Sequence, residues 1–455
     1  MLKTSLPGAQ ITTVRSALRR AQTRFARRYP GDALGRQPVH TVYGGAHLFR
    51  HDAARKLGDV ALKSLELYAP DAGSLARGLD MVDDGRVYRT VYSRVVEKLR
   101  REPVEDLRID FEDGYGHRPD AEEDADAVRC AEELARGFGE KTLPPFCGIR
   151  VKALTEETFA RSVRTLDLFV SNLVRALKEK GVSALPPGFV VTLPKITVPE
   201  QVAALAKLLG ALEKRHGLKT GSIPLELMVE LPQVLFDETG TAALPKLVRA
   251  AGGRCVAAHF GTYDYTAALN VTAPHQSMLH PACDFARQVM QVTLAGTGVA
   301  ISDGATNLMP VGPHRARDGE PLTREQIEAN KEVVFTAWRA SWKHIRHSLQ
   351  LGIYQGWDLH PAQLPVRYAA VHAFFLEGLD AAQGRLKAFL DKAAQATLHG
   401  AVFDDAATGQ GLLNYFLRGI ACGALTEDEA RAAGLSLEEL RSRSFLQILE
   451  GRKKK

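Results

Sequence analysis

The sequence predicts an α/β fold: a (β/α)8 barrel with a helical insertion after its first strand and a helical extension at its C-terminus. Three observations point there. Short hydrophobic runs of strand character alternate with segments rich in Ala, Leu, Glu and Lys, the pattern of parallel strands joined by helices. Counted along the chain, these make eight strand-helix units, the number that closes a barrel. The hydrophobic runs tend to end in a charged residue or a glycine turn, and a barrel builds its site at the C-terminal ends of its strands. An open doubly wound sheet would alternate in the same way, but no GxGxxG follows the first strand.

Taken in order, residues 1–38 form an N-terminal helical segment. It contains Lys3, Arg15, Arg19, Arg20, Arg24, Arg27 and Arg28 and no acid before Asp32. An organelle transit peptide shares that bias but is also serine-rich, so a surface helix packed on the barrel is the expectation. The barrel is expected over residues 39–363. Its first strand is placed at 39–48, with Gly44 and Gly45 at the tip. Residues 50–105 form the insertion, with helical periodicity at 53–67 and 88–99. Later strands end near Asp110, Arg150, Lys195, Glu230, Gly261, Ser302 and Asp358. From 364 to 455 the pattern is helical, with amphipathic runs at 366–377, 383–396 and 426–448, long enough to cap the barrel or reach a neighbouring subunit.

Composition excludes some functions. The net charge of +6 rests partly on the two chain ends, and basic and aromatic residues do not interleave along any stripe, so no nucleic-acid surface is expected. No apolar run approaches the roughly 18 residues of a membrane span. The five cysteines are scattered and form no CxxC pair, which fits reduced thiols and a cytoplasmic protein.

The chemistry-bearing residues sit at strand ends. Asp110-Phe111-Glu112-Asp113-Gly114-Tyr115-Gly116 delivers carboxylates to a strand-to-helix loop, although helix caps use the same residue types. Glu230 and Asp264 end adjacent strands with no histidine or cysteine pairing beside them, a donor set suited to Mg²⁺ or Mn²⁺ rather than zinc. Asp264 is also placed to cap a helix, whereas Glu230 is not. Arg150, buried at a barrel mouth, needs an anion: a ligand oxyanion, or an ion pair with Glu112 or Asp113. Lys195 has the residue type of a Schiff-base nucleophile, a role that a metal makes redundant. His47, His117, His259 and His360 are acid/base candidates by residue type alone, with His259 read as structural.

These tips, with Gly261-Thr262-Tyr263-Asp264-Tyr265 and the closing Gly352-Ile353-Tyr354-Gln355-Gly356-Trp357-Asp358-Leu359-His360-Pro361-Ala362-Gln363, occur in the order found in the HpcH/HpaI aldolase and citrate lyase β-subunit family, which the sequence resembles. The resemblance implies a phosphoenolpyruvate/pyruvate-type barrel that makes or breaks carbon-carbon bonds through a metal-stabilised enolate. It implies Glu230 and Asp264 as metal ligands and Arg150 as the contact to the enolate oxygen. Glu112 and Asp113 would order the metal's waters and the substrate, and backbone N–H groups of the Gly261-Thr262-Tyr263 turn would receive a substrate carboxylate. The chain departs from the family in its long insertion and C-terminus. Its second tip also reads Glu-Asp-Gly-Tyr where the aldolase branch has Gly-Glu-His. That tilts the resemblance toward the citrate lyase and malyl-CoA lyase branch.

The expectation is a Mg²⁺- or Mn²⁺-dependent carbon-carbon lyase acting on a 2-oxo or 3-hydroxy acid, with coenzyme A thioesters among the implied substrates. One alternative is a malate synthase-like Claisen condensation, with Asp303 or Asp358 as the base. Another is a barrel that binds a metabolite or scaffolds partners without turnover. The amphipathic tail and the resemblance together imply a homo-oligomer.

Overall fold

The computed structural model describes residues 5–31, 35–81, 85–316, 320–391, 397–399, 402–404 and 406–453. Eight parallel strands close into a barrel in sequence order: β1 (His40–Gly45), β2 (Asp106–Asp110), β3 (Phe146–Arg150), β4 (Phe189–Leu193), β5 (Leu225–Val229), β6 (Cys255–Phe260), β7 (Ala300–Ala305) and β8 (Gln355–Asp358). Closure is made where His40, Thr41 and Val42 pair with Gly356, Trp357 and Asp358. The (β/α)8 expectation is thus met.

The helices follow from periodicity and caps. After α1 (Gly8–Arg28), the segment between β1 and β2 carries α2 (Ala53–Tyr68), α3 (Ala72–Gly78) and α4 (Arg86–Arg101), matching the two helical stretches expected there. Asp71 and Ser74 cap α3 reciprocally. The barrel helices are α5 (Asp120–Glu140), α6 (Phe159–Glu179), α7 (Pro199–His216), α8 (Leu244–Ala250), α9 (Thr262–Ala268), α10 (Pro281–Leu294) and α11 (Arg324–Gln350). Pro199 and Pro281 start α7 and α10, where a missing N–H costs nothing. Beyond β8 come α12 (Leu364–Glu377) and α13 (Leu379–Asp391), a small antiparallel pair β9 (Thr397–His399) and β10 (Val402–Asp404), then α14 (Ala406–Ala421), α15 (Glu427–Arg431), α16 (Leu437–Ser442) and α17 (Phe445–Lys453).

Three expectations need correction. The C-terminal region is not wholly helical, because β9 and β10 interrupt it. The run at 426–448 divides into short helices, since Gly434 takes a left-handed φ of 87° and Ser436 starts a new capped helix. The expected run at 383–396 is helical to Asp391, and residues 392–396 lie outside the described residues. Finally, α1 does not pack on the barrel: none of its residues is buried. Ile11, Val14, Leu18 and Phe25 lie on its surface at 49–64% exposure.

The barrel interior is partly polar. Arg108 Nη1 and Nη2 donate to Asp106 at 2.5 and 3.0 Å, and its Nε and Nη2 donate to Glu226 at 3.0 and 2.7 Å. Each of these side chains is almost fully buried. Burial would raise the Glu226 carboxyl, but Arg108 and His259 outweigh it and hold it far below the usual range. Among the described residues no helix is long and apolar enough to cross a membrane. All five cysteines are free thiols.

Candidate active site

The acidic tip after β2 is shaped by Asp110. Its Oδ1 accepts the Glu112 N–H at 3.0 Å and its Oδ2 the Gly114 N–H at 2.7 Å, so one buried carboxylate folds the loop that presents Glu112 and Asp113. The same carboxylate takes Arg150 in a two-point pair, Nε to Oδ1 at 2.7 Å and Nη2 to Oδ2 at 2.5 Å. The partner expected for Arg150 was Glu112 or Asp113. Those lie 3.1 and 3.8 Å from Nη1, and Glu112 Oε2 makes no hydrogen bond there, so that contact is an ion pair alone. Arg150 also stacks its guanidinium 4.8 Å from the ring centre of Tyr43 on β1. Sequence reasoning missed both Asp110 as the clamp and Tyr43 as the platform. Asp110 ends β2 directly opposite Arg150 in the register with β3, a pairing that the sequence alone does not reveal.

Glu230 follows β5 and is fully buried. Its Oε1 accepts the backbone N–H of Lys195, while Oε2 is buried without a hydrogen-bond partner. Burial pushes its carboxyl up to about 7, with the charge of Asp264 adding and those of Lys195 and Arg150 opposing. Gly261 makes the room: a Cβ there would sit 2.6 Å from Glu230 Cβ and 3.0 Å from its Oε2. Asp264 lies in the first turn of α9 and keeps 43% of its side chain exposed.

Lys195 stands among these acids. Its Nζ lies 2.8 Å from Glu112 Oε1, 3.0 Å from Asp113 Oδ2 and 3.6 Å from Asp264 Oδ1, and its backbone has φ of 47°, a region costly for a side chain with a Cβ. Burial raises the carboxyl of Glu112 despite the nearby Arg150 and Lys195. Asp113, also penalised by burial, is lowered by its contact with Glu112 and by the same two cations.

The structure therefore brings Glu112, Asp113, Arg150, Glu230, Asp264 and Lys195 to one barrel mouth. The Gly261 N–H is engaged with Val229 O at 2.9 Å. The Tyr263 hydroxyl donates to Ala305 O and accepts the Asn307 N–H, and Thr262 Oγ1 contacts Met278 Sδ. Tyr263 thus fastens the loop after β7, and Thr262 meets the segment that leads into α10.

Other candidates are scaffold. His360 Nδ1 accepts the Ala362 N–H, and Gln363 Nε2 donates to Thr306 O and Leu308 O. The His-Pro-Ala-Gln signature thus ties β8 to the loop after β7. His259 is buried between Trp357 and Glu226. His47 packs near the Tyr115 ring and is lowered by burial. Among the described residues no hydrogen bond or ion pair joins His117 to these acids. Asp303 is held by Arg287 Nε at 2.9 Å to each oxygen, by the Gly304 N–H and by Ser348. Asp358 is held by His40 and Arg367. Both carboxylates proposed as a Claisen base are committed to buried pairs.

The site has hard oxygen donors, and the buried, unpartnered Glu230 Oε2 is the kind of group that a divalent cation satisfies. Glu230 and Asp264 therefore fit Mg²⁺ or Mn²⁺. Among the described residues no group of three His, Cys, Asp or Glu converges as a ready metal cage, so water and substrate oxygens would complete the coordination, as Mg²⁺ prefers. A cavity of about 770 Å³ opens at the other end of the strands, lined by Phe146, Phe189, Glu226, Val256 and Gln355. None of the acids of the mouth faces it.

A closed parallel barrel with charged tips at its C-terminal mouth defines the class of molecule. Within that class, residues 18–448 match the family described as domain of unknown function (DUF6986), and the chain belongs to it. No curated protein matches the sequence. Among solved structures, a citrate lyase from Burkholderia xenovorans LB400 is similar with a TM-score of 0.55 and 18% identity, covering 87% of this chain and 96% of that one. Haloferax volcanii malate synthase in a magnesium/glyoxylate complex is a looser likeness, with a TM-score of 0.42, 15% identity and coverage of 92% and 98%. At 18% identity the first likeness shows a shared fold, and the second adds nothing to it.

Proposed function

We propose that the chain is a divalent-metal-dependent carbon-carbon lyase acting on a 2-oxo or 3-hydroxy acid, with coenzyme A thioesters within the substrate class. The observation that carries this reading is the buried Glu230 Oε2, left without a partner beside Asp264, Glu112 and Asp113. Mg²⁺ or Mn²⁺ held by Glu230 and Asp264 would supply Lewis-acid polarisation of the substrate carbonyl.

The chain's own groups do the rest. Arg150, fixed by Asp110 and stacked on Tyr43, turns Nη1 toward the acids of the mouth. There it donates to the oxygen on which negative charge grows as the carbon-carbon bond breaks. Because Asp110 sets the guanidinium plane in advance, no reorientation is needed during the reaction. Glu112 and Asp113 hold water and substrate hydroxyl by hydrogen bonds. The N–H groups of Thr262 and Tyr263 open α9, where no earlier helical carbonyl claims them, and they receive the substrate carboxylate. The working form is a homo-oligomer in the cytoplasm.

Incubating the protein and Mg²⁺ with a panel of 2-oxo acids, 3-hydroxy acids and their coenzyme A thioesters, with product analysis by mass spectrometry, tests the assignment. Cleavage into two carbon fragments supports it. Condensation of acetyl-CoA with glyoxylate, without cleavage of any panel member, would favour the Claisen alternative. No turnover of any kind would favour a binding barrel.

A further inference from the structure

We propose that the Lys195 ammonium competes with the divalent metal for the carboxylates of the mouth and must withdraw when the metal loads. The proposal deepens the lyase reading and rests on its assignment of Glu230 and Asp264. Three carboxylates face the Lys195 ammonium, and a fourth holds its backbone. Glu112, Asp113 and Asp264 face its Nζ at 2.8, 3.0 and 3.6 Å, and Glu230 Oε1 accepts its backbone N–H.

Neither the chain nor the charge of this residue is placed casually. Lys195 holds a left-handed φ of 47°, a conformation costly for a residue with a Cβ, with its N–H on Glu230 and its side chain over the acids. Without a cation, four acids packed at one mouth would repel each other. An ammonium among them offsets that repulsion, and a hard divalent ion seeks the same oxygens. Two cations cannot share them at contact distance, so metal entry and lysine withdrawal are one exchange. The released ammonium then stands at the mouth, free to meet the anionic substrate.

Two measurements on the full chain test this. The first is calorimetric titration with Mn²⁺ alone for wild type, Lys195→Met and Lys195→Arg, with thermal unfolding of each to establish folding. All three carry a Cβ, so the backbone cost is common to them. Lys195→Met should bind Mn²⁺ at least about tenfold tighter, since a competing unit charge is gone, and Lys195→Arg should bind no tighter than wild type. The second is acylation of Lys195 by acetic anhydride, read by peptide mass spectrometry. Its extent should rise when Mn²⁺ is added, because the amine leaves its carboxylates. Equal or weaker Mn²⁺ binding by folded Lys195→Met, or Lys195 acylation that Mn²⁺ leaves unchanged or lowers, would overturn the exchange while leaving the metal ligands standing. Absence of Mn²⁺ binding in both wild type and Lys195→Met would overturn the metal reading and the exchange with it.

Discussion

Arg150 has two partners of different kinds, the Asp110 carboxylate below it and the open mouth above, and substitutions separate them. Asp110→Asn leaves a guanidinium that is 5% exposed without its two-point partner and with the ion pair to Glu112 alone, a loss of up to about 3–5 kcal/mol. It should appear as a lowered chemical-denaturation midpoint. Arg150→Lys keeps the charge but loses the planar fork. Its kcat should fall about 10²- to 10³-fold, as for loss of one oxyanion donor, with a smaller change in KM. A lowered melting temperature with near-normal kcat would assign Arg150 to the scaffold. Gly261 makes a third case. Gly261→Ala puts a Cβ within 2.6 Å of Glu230, so it should displace that carboxylate and weaken Mn²⁺ binding, at an overpacking cost of about 1–3 kcal/mol. Unchanged Mn²⁺ affinity would show that Glu230 is not a ligand. At this scale the sequence was informative about which charges end strands, because alternation and the following turn mark those positions. It could not say which carboxylate holds Arg150, since Asp110, Glu112 and Asp113 are equivalent in composition and only the pairing of β2 with β3 separates them. Nor could it place Lys195 among the acids, which depends on one left-handed residue.

At the scale of elements, the barrel closes through a buried knot between β1, β8 and α12. His40 Nδ1 donates to Asp358 at 3.0 Å while its Nε2 accepts the Glu105 N–H, and Arg367 donates to both Asp358 oxygens. Burial would raise Asp358, but Arg367 and His40 outweigh it and hold the carboxyl at about 2 against an ordinary 3.8. A folded pKa below the unfolded one means that this carboxylate stabilises the fold above about pH 4, and that the contribution fades as pH falls toward 2. Melting temperature should therefore drop across that window in wild type and drop less in Asp358→Asn. Parallel slopes would show that Asp358 does not contribute. The turn that follows explains why the closing motif was so legible: its hydrogen bonds use the side chains of His360 and Gln363, with Leu359 contributing its backbone N–H. A motif in the right order marked the fold correctly and yet most of its members are structural, Asp358 and His360 among them.

For the whole molecule, periodicity predicted the eight strands and the helical insertion because each is a long, regular pattern. The C-terminal region was read less well. The strands β9 and β10 have three residues each, too short for alternation to register, and the break at Gly434 depends on a single left-handed glycine. The exposed α1 face was illegible for another reason, since an amphipathic stripe states that something covers it without stating what. Because Ile11, Val14, Leu18 and Phe25 remain exposed, light scattering at micromolar concentration should report a mass above that of one chain. A monomer would refute the homo-oligomer. The central claim, however, is that catalysis at this mouth runs through a divalent ion held by Glu230 and Asp264. Its most direct test is the lyase rate before chelation, after exhaustive treatment with EDTA, and after return of Mg²⁺ or Mn²⁺. The account predicts loss of activity on chelation and recovery with either ion, and full activity in the chelated protein would contradict it.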